Sequence, residues 1–207
     1  MSKEQKRGLL IVVSGPAGSG KGTVLSRLME DGGYRYSVSA TTRAPRPGEV
    51  DGVNYHFITR EEFENRLDHD GMLEHTEYCG NYYGTPRKEA EEVLASGKNL
   101  ILEIEVDGAM QIKKKFPEAV LIMLLPPTYV EQEKRLRGRG TETEDKILAR
   151  LAQAKVELQY LPEYDYVVYN LDGGAQACAD QIHAIVYAEQ FSTMRDPDAI
   201  PRFFGEL

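Results

Sequence analysis

Gly15-Pro16-Ala17-Gly18-Ser19-Gly20-Lys21-Gly22-Thr23 is a stretch with the residue types and spacing to hold phosphate. A glycine-rich turn between a strand and a helix aims successive backbone N–H groups at an anion, and the helix dipole adds partial positive charge. Gly15, Gly18 and Gly20 let the backbone approach phosphate oxygens where a Cβ would block it. Lys21 then reaches the β- and γ-phosphates as a point charge. A Ser or Thr hydroxyl commonly binds Mg²⁺ from the position after this lysine. Here that position is Gly22, and Thr23 comes one place late, so direct metal ligation by the loop is not expected.

Three further groups carry charge where it could do work. Arg43 and Arg46 flank Ala44-Pro45, and two guanidinium forks on a proline-stiffened turn suit a bidentate grip on phosphate. Tyr55 and Tyr83 would add hydroxyl donors from neighbouring loops. Glu103 and Glu105 stand two apart at the end of an apolar run, so both side chains are expected on one face of a strand. They would either hold Mg²⁺ through water, Glu103 foremost, or accept donors from a substrate. Asp107 could simply cap the next helix. Arg135, Arg137 and Arg139 lie among Gly138 and Gly140, with Arg150 further on. That pattern predicts a mobile flap bringing positive charge to a transferring phosphoryl group, the alternative being an exposed charged hairpin.

These residues need a frame. Leu9–Val13, Leu100–Ile104, Ala119–Leu125 and the shorter Tyr166–Tyr169 are largely continuous apolar runs, the pattern of buried parallel strands. Helical patterns are predicted at 21–31, 109–115, 128–137, 144–160 and 176–191, with a capping box from Thr141 to Glu144. Alternating strands and helices give a doubly wound parallel sheet, with ligands beyond the carboxyl ends of its strands. Residues 35–88 break that rhythm. Half-exposed strands at 36–41 and 53–58, punctuated by Pro45, Pro47, Gly48 and Gly52, read as a small antiparallel lobe. Lys113-Lys114-Lys115 reads as a solvated helix end, and the four histidines as surface or packing residues. The tail 192–207 lacks periodicity, and its Phe203-Phe204 pair is expected to dock on the body or on another subunit.

The chain has 207 residues, 41% hydrophobic and 28% charged, which suits one α/β domain with a real core. A net charge of −8 argues against a nucleic-acid protein. No segment approaches the ~20 apolar residues of a membrane span. Cys79 and Cys178 lack metal-ligand spacing and read as free thiols of a reducing, cytoplasmic compartment.

With the phosphate loop, Thr41-Thr42-Arg43-Ala44-Pro45-Arg46, Gly80-Asn81-Tyr82-Tyr83-Gly84-Thr85, Glu103-Ile104-Glu105 and Gly138-Arg139-Gly140-Thr141-Glu142-Thr143-Glu144 in this order, the chain closely resembles the guanylate kinases. The match runs from about Gly8 to Phe191. The resemblance implies an α/β fold: a P-loop doubly wound parallel sheet of five strands, an inserted small antiparallel GMP-binding lobe and a helical lid. It implies one domain over 1–207, with core segments 8–34, 89–133 and 161–191, lobe 35–88, lid 134–160 and tail 192–207. It implies Mg²⁺-dependent transfer of the γ-phosphoryl of ATP to GMP. The loop residues Gly15 to Thr23, with Arg135 and Asn170, would then bind ATP. Ser39, Glu74 and Thr85 would read the guanine, with Glu103 or Glu105 near its exocyclic amine. Arg43, Arg46, Tyr55 and Tyr83 would hold the GMP phosphate, and Lys21, Arg43, Arg139 and Arg150 would act in transfer. Departures from the family's pattern are Gly22, the glutamates at 103 and 105 where aspartate is common, and Leu171 where an acidic residue often stands. A non-catalytic module of the same fold that binds phosphorylated peptides is the alternative. Such modules typically lose the phosphate loop, and this chain keeps Lys21 and its arginines. A kinase for another nucleotide is the third reading, and Glu74 with Ser39 favours guanine over adenine.

Overall fold

The first apolar run becomes strand β1 (Leu10–Ser14), buried at every residue. The structure is a computed structural model, and it describes residues 7–138, 140 and 143–205. The glycine loop leads into helix α1 (Lys21–Met29) and strand β2 (Tyr34–Tyr36). Next come strands β3 (Ala40–Thr41) and β4 (His56–Phe57), helix α2 (Arg60–Asp68), and strands β5 (Met72–Tyr78) and β6 (Asn81–Pro86). Helix α3 (Arg87–Ala95), strand β7 (Asn99–Glu103), helix α4 (Val106–Lys115) and strand β8 (Val120–Leu125) restore the alternation. Helices α5 (Tyr129–Gly138) and α6 (Glu144–Glu157), strand β9 (Tyr166–Tyr169), and helices α7 (Ala175–Glu189) and α8 (Ala199–Phe204) complete the described chain.

The larger sheet has five strands in the order β2-β7-β1-β8-β9, all parallel. Ile11 and Val13 face one side, against Val24 and Leu28 of α1 and Ile182 and Val186 of α7. Leu10 and Val12 face the other, against Ala90 and Leu94 of α3 and Ala109 and Ile112 of α4. Both faces are covered, so β1 reads as unbroken apolar sequence and not as an alternating strand. The strand expected over 36–41 is in fact two. Tyr34–Tyr36 pairs with β7 in this sheet, and Ala40–Thr41 belongs to the other. With only Tyr34 of β2 buried, the piece is too short to show a period.

The smaller sheet runs β4-β3-β6-β5. Its β3–β6 and β5–β6 pairings are antiparallel, as expected, while the short β3–β4 pairing is parallel, so the sheet is mixed. Helix α2, absent from the sequence reading, closes it by burying Phe63 against Tyr82 with ring centroids 5.2 Å apart. Gln111 of α4 locks β5 to the core: its Oε1 accepts the His75 N–H at 3.1 Å and its Nε2 donates to the His75 carbonyl at 2.8 Å.

Three smaller readings change. The N-cap position of helix α6 is Thr143, whose side chain makes no capping hydrogen bond, and Thr141 of the expected capping box lies outside the described residues. Lys114 and Lys115 are exposed, but Lys113 is tied down: its Nζ donates to both oxygens of Asp165 at 2.9 Å. Phe203 and Phe204 are 82% and 68% exposed and pack on each other, not on the body. Among the described residues no helix is long and apolar enough to cross a membrane.

Candidate nucleotide site

The carboxyl ends of β1, β7, β8 and β9 meet around the glycine loop, where open α/β sheets bind ligands. Gly15 passes so close to β8 that a Cβ would lie 2.1 Å from the Leu124 carbonyl oxygen. Gly20, at φ 88°, is the N-cap of α1 in left-handed backbone. The Lys21 Nζ donates to the Gly15 carbonyl, and Ser19 N–H to the Pro16 carbonyl at 3.1 Å, so the loop is closed by its own hydrogen bonds. Ser19 Oγ is buried with no hydrogen-bond partner among the described residues. A Gly20→Ala replacement would put its Cβ 2.3 Å from Asn170 Nδ2. Left-handed backbone alone costs about 1–2 kcal/mol for a residue with a Cβ, and each kcal/mol lowers Tm by about 2–4 °C at this size. The expected loss, with the clash added, is about 4–10 °C in a thermal melt; an unshifted Tm would contradict this account of the loop.

The loop is held from outside. Asn170, just past β9 and only 6% exposed, donates from Nδ2 to the Ser19 carbonyl at 2.8 Å. Its own carbonyl accepts from Arg135 at 2.9 Å, and Arg135 is steadied by Glu131 at 3.2 Å. Gln132, 2% exposed, donates to the Ala17 carbonyl at 2.9 Å. Arg150 is exposed on α6, and its charge opposes the rise in the Tyr78 pKa that Cys79 causes and Glu105 adds to. Arg139 lies outside the described residues. Gly22 and Thr23 are exposed on the first turn of α1.

Arginine and tyrosine side chains cluster on the smaller sheet. Arg43 lies over the Tyr55 ring at 5.5 Å, and Tyr55 packs edge-on to Tyr83 at 6.0 Å. The guanidinium is already filled: Glu49 takes it bidentately at 3.0 and 2.9 Å, and accepts the Arg46 N–H at 2.7 Å. That carboxylate, with the Tyr83 hydroxyl, raises the Arg43 pKa. Arg46 itself is exposed. The Tyr36 hydroxyl donates to Glu103, and partial desolvation followed by that carboxylate pushes the Tyr36 pKa well up.

Glu74, 3% exposed on β5, accepts from the fully buried Thr85 hydroxyl at 2.7 Å. Its other oxygen faces Gly108, where a Cβ would come within 2.8 Å. Burial raises the Glu74 pKa, against the pull of Thr85 and the more distant Lys115. Ser39 is half-buried, and its carbonyl accepts the His56 N–H at 2.9 Å. Glu105 is not on the strand with Glu103: β7 stops at Glu103, and Glu105 takes the N-cap position of α4. Asp107 therefore lies in the first turn and is not the cap. Glu157, at the end of α6, joins them. Burial and then Glu105 raise its pKa, while Lys21 pulls it back.

Gln132, Glu49, Gln111 and Glu157 are missing from the sequence reading. Gln132, Gln111 and Glu157 sit inside helical patterns with nothing in their spacing to mark them. Glu49 had a signal, three residues after Arg46 on the same turn.

Residues 7–185 match the family model described as guanylate kinase. A guanylate kinase of Halalkalibacterium halodurans is 54% identical over 90% of this chain and 91% of its own. One from Desulfitobacterium hafniense is 48% identical over 94% of this chain and 96% of its own. The crystal structure of guanylate kinase from Anaplasma phagocytophilum superposes with a TM-score of 0.72 at 36% identity, covering 92% of this chain and 90% of that one. The family model over residues 7–185, with a fold and sequence shared over nearly the whole length of such relatives, places this chain in the guanylate kinase family.

Proposed function

We propose that the glycine loop takes ATP, the smaller sheet takes GMP, and the γ-phosphoryl passes from one to the other. The observation that carries this reading is Glu74, a buried carboxylate of the smaller sheet whose oxygens meet Thr85 and Gly108. Guanine offers it two donors, N1–H and the exocyclic amine, where adenine offers an acceptor at N1. Ser39 and Thr85 complete the base site. Arg43, Arg46, Tyr55 and Tyr83 hold the GMP phosphate, which displaces Glu49 from the Arg43 fork. Lys21, Arg135, Arg139 and Arg150 neutralise the transferring end of ATP. Phosphoryl transfer asks for positioning and charge neutralisation and little covalent help. Asn170 meets the adenine side of the loop that it also pins.

The donor set fits Mg²⁺. Among the described residues no group of three carboxylates could hold a metal by itself, but Mg²⁺ needs only one or two beside water and substrate phosphates, and Glu105 opens α4 where its charge and that of Lys21 both act on Glu157. Glu103 is turned to Tyr36, so Glu105 is the glutamate that would hold the ion through water, where it would supply charge neutralisation. The GMP-binding lobe (35–88) and the lid (134–160) close on the core (8–34, 89–133 and 161–191), excluding the water that would otherwise accept the phosphoryl group. The free cysteines, Cys79 and Cys178, suit the cytoplasm as the place of work.

A coupled assay of ADP release with ATP against GMP, AMP, CMP and UMP tests the reading. GMP is expected to be turned over far faster than the others, and a different preferred acceptor would overturn it. X-ray scattering is expected to show more compaction with GMP and an ATP analogue together than with either alone; equal dimensions in all states would refute closure.

A further inference from the structure

Gln132 stands out as a carboxamide that is 2% exposed, on a helix whose other buried residue is Leu136. Burying an amide is costly unless its hydrogen bonds are made, and this one crosses to the Ala17 carbonyl at 2.9 Å. Every described peptide is trans, so a carbonyl and the N–H of the next residue point in opposite directions. Holding the Ala17 carbonyl outward therefore turns the Gly18 N–H inward. Asn170 does the same to the next peptide but one, holding the Ser19 carbonyl at 2.8 Å and so turning the Gly20 N–H inward. Among the described residues neither N–H has an acceptor. The two inward donors are the anion cradle, and each is set by a side-chain amide outside the loop.

The contact is close on both sides of that bond. Gly18, at φ +87°, fits against Gln132, where a Cβ would come within 3.3 Å of the Gln132 carbonyl and 3.4 Å of its Cγ. Ala17 packs on Leu136, Ile147 and Leu151, the apolar seam between α5 and α6. Three residues on from Gln132, Arg135 grips the Asn170 carbonyl. Helix α5 thus holds both pinned peptides, one directly and one through Asn170.

We propose that Gln132 is a positioning residue for the phosphoryl donor: its carboxamide sets the Ala17–Gly18 peptide so that the Gly18 N–H faces the phosphates, and it ties that setting to the α5–α6 hairpin. This rests on the reading that the loop takes ATP. Gln132 touches no substrate in this role, and GMP lies on the other sheet, so its loss acts on ATP alone.

The test compares Gln132→Leu, Gln132→Glu and Lys21→Ala with the natural chain, measuring KM for ATP, KM for GMP, kcat and Tm. Gln132→Leu keeps the bulk and loses the donor. It is expected to raise KM for ATP about five- to tenfold, the scale of one neutral hydrogen bond, with KM for GMP within about twofold. Gln132→Glu keeps the shape but sets a carboxylate against the Ala17 carbonyl near the phosphates, and is expected to raise it further; it carries the test should the leucine variant not fold. Natural ATP parameters in both Gln132 variants, with Lys21→Ala impaired, would overturn the inference and leave the loop reading standing. Natural ATP parameters in Lys21→Ala as well would overturn both. A parallel rise in both KM values with a lowered Tm would make Gln132 a packing residue only.

Discussion

Replacing Lys21 by alanine is expected to reduce phosphoryl transfer by at least about 10²–10³, the usual cost of losing one charge-stabilising donor, while GMP binds as before. The two effects separate because the two pockets do. Lys21 opens α1 at the carboxyl end of the larger sheet, whereas Arg43, Tyr55 and Tyr83 lie on the loops and strands of the smaller one. The ammonium donates to the Gly15 carbonyl, which orients it across the loop, and its charge opposes the rise in the Glu157 pKa. Alanine removes both that closure and the charge. Steady-state kinetics with ATP and GMP would show the loss of kcat, and calorimetric titration of GMP would show an unaltered Kd. A Lys21→Ala protein with natural turnover would remove the loop from the mechanism.

The sequence made some of this legible and hid the rest for physical reasons. The loop could be read because close approach to phosphate and left-handed backbone admit little but glycine, and the buried β1 before it is unbroken apolar sequence. Arg43, Tyr55 and Tyr83 could be gathered because Pro45 and the glycines mark the turns that bring them together. Glu105 was misplaced because a period of two continues past Glu103 in sequence, whereas the backbone has already turned into α4. Helix α2 was missed because a single residue, Phe63, is buried on it, too little to show a helical period. Gln132 and Gln111 were missed for the opposite reason. Each makes a specific bond to a carbonyl or amide far away in the chain, and such a bond leaves no mark on local spacing. Glu49 lay in plain view beside Arg46, but its role depends on a turn whose shape only the fold shows.

Base choice gives the other large effect. Glu74→Gln is expected to lower kcat/KM for GMP by about 30- to 150-fold, or roughly 2–3 kcal/mol, the scale of hydrogen bonds to a charged group. The amide matches the carboxylate in size but places a donor where guanine needs an acceptor, so at most one of two bonds survives. Thr85 still has an oxygen to donate to, and Gly108 still leaves room, so the site keeps its shape. The phosphate grip of Arg43, Arg46, Tyr55 and Tyr83 is untouched, so activity with AMP should not fall in parallel and the GMP-to-AMP preference should shrink. A pH series separates charge from shape. Burial raises the Glu74 pKa above its ordinary value, so as pH falls the carboxylate is lost earlier than an exposed glutamate would be. The ionised form is the one that accepts from guanine, and kcat/KM reports the free protein's groups. The natural chain should therefore lose kcat/KM for GMP on acidification starting above the ordinary carboxylate range. Glu74→Gln should lack that step and keep only the decline from the phosphate of GMP, which both proteins share. An equal fall for GMP and AMP, or an identical acid limb in both proteins, would make Glu74 a support for the β5–β6 pairing and not a reader of the base.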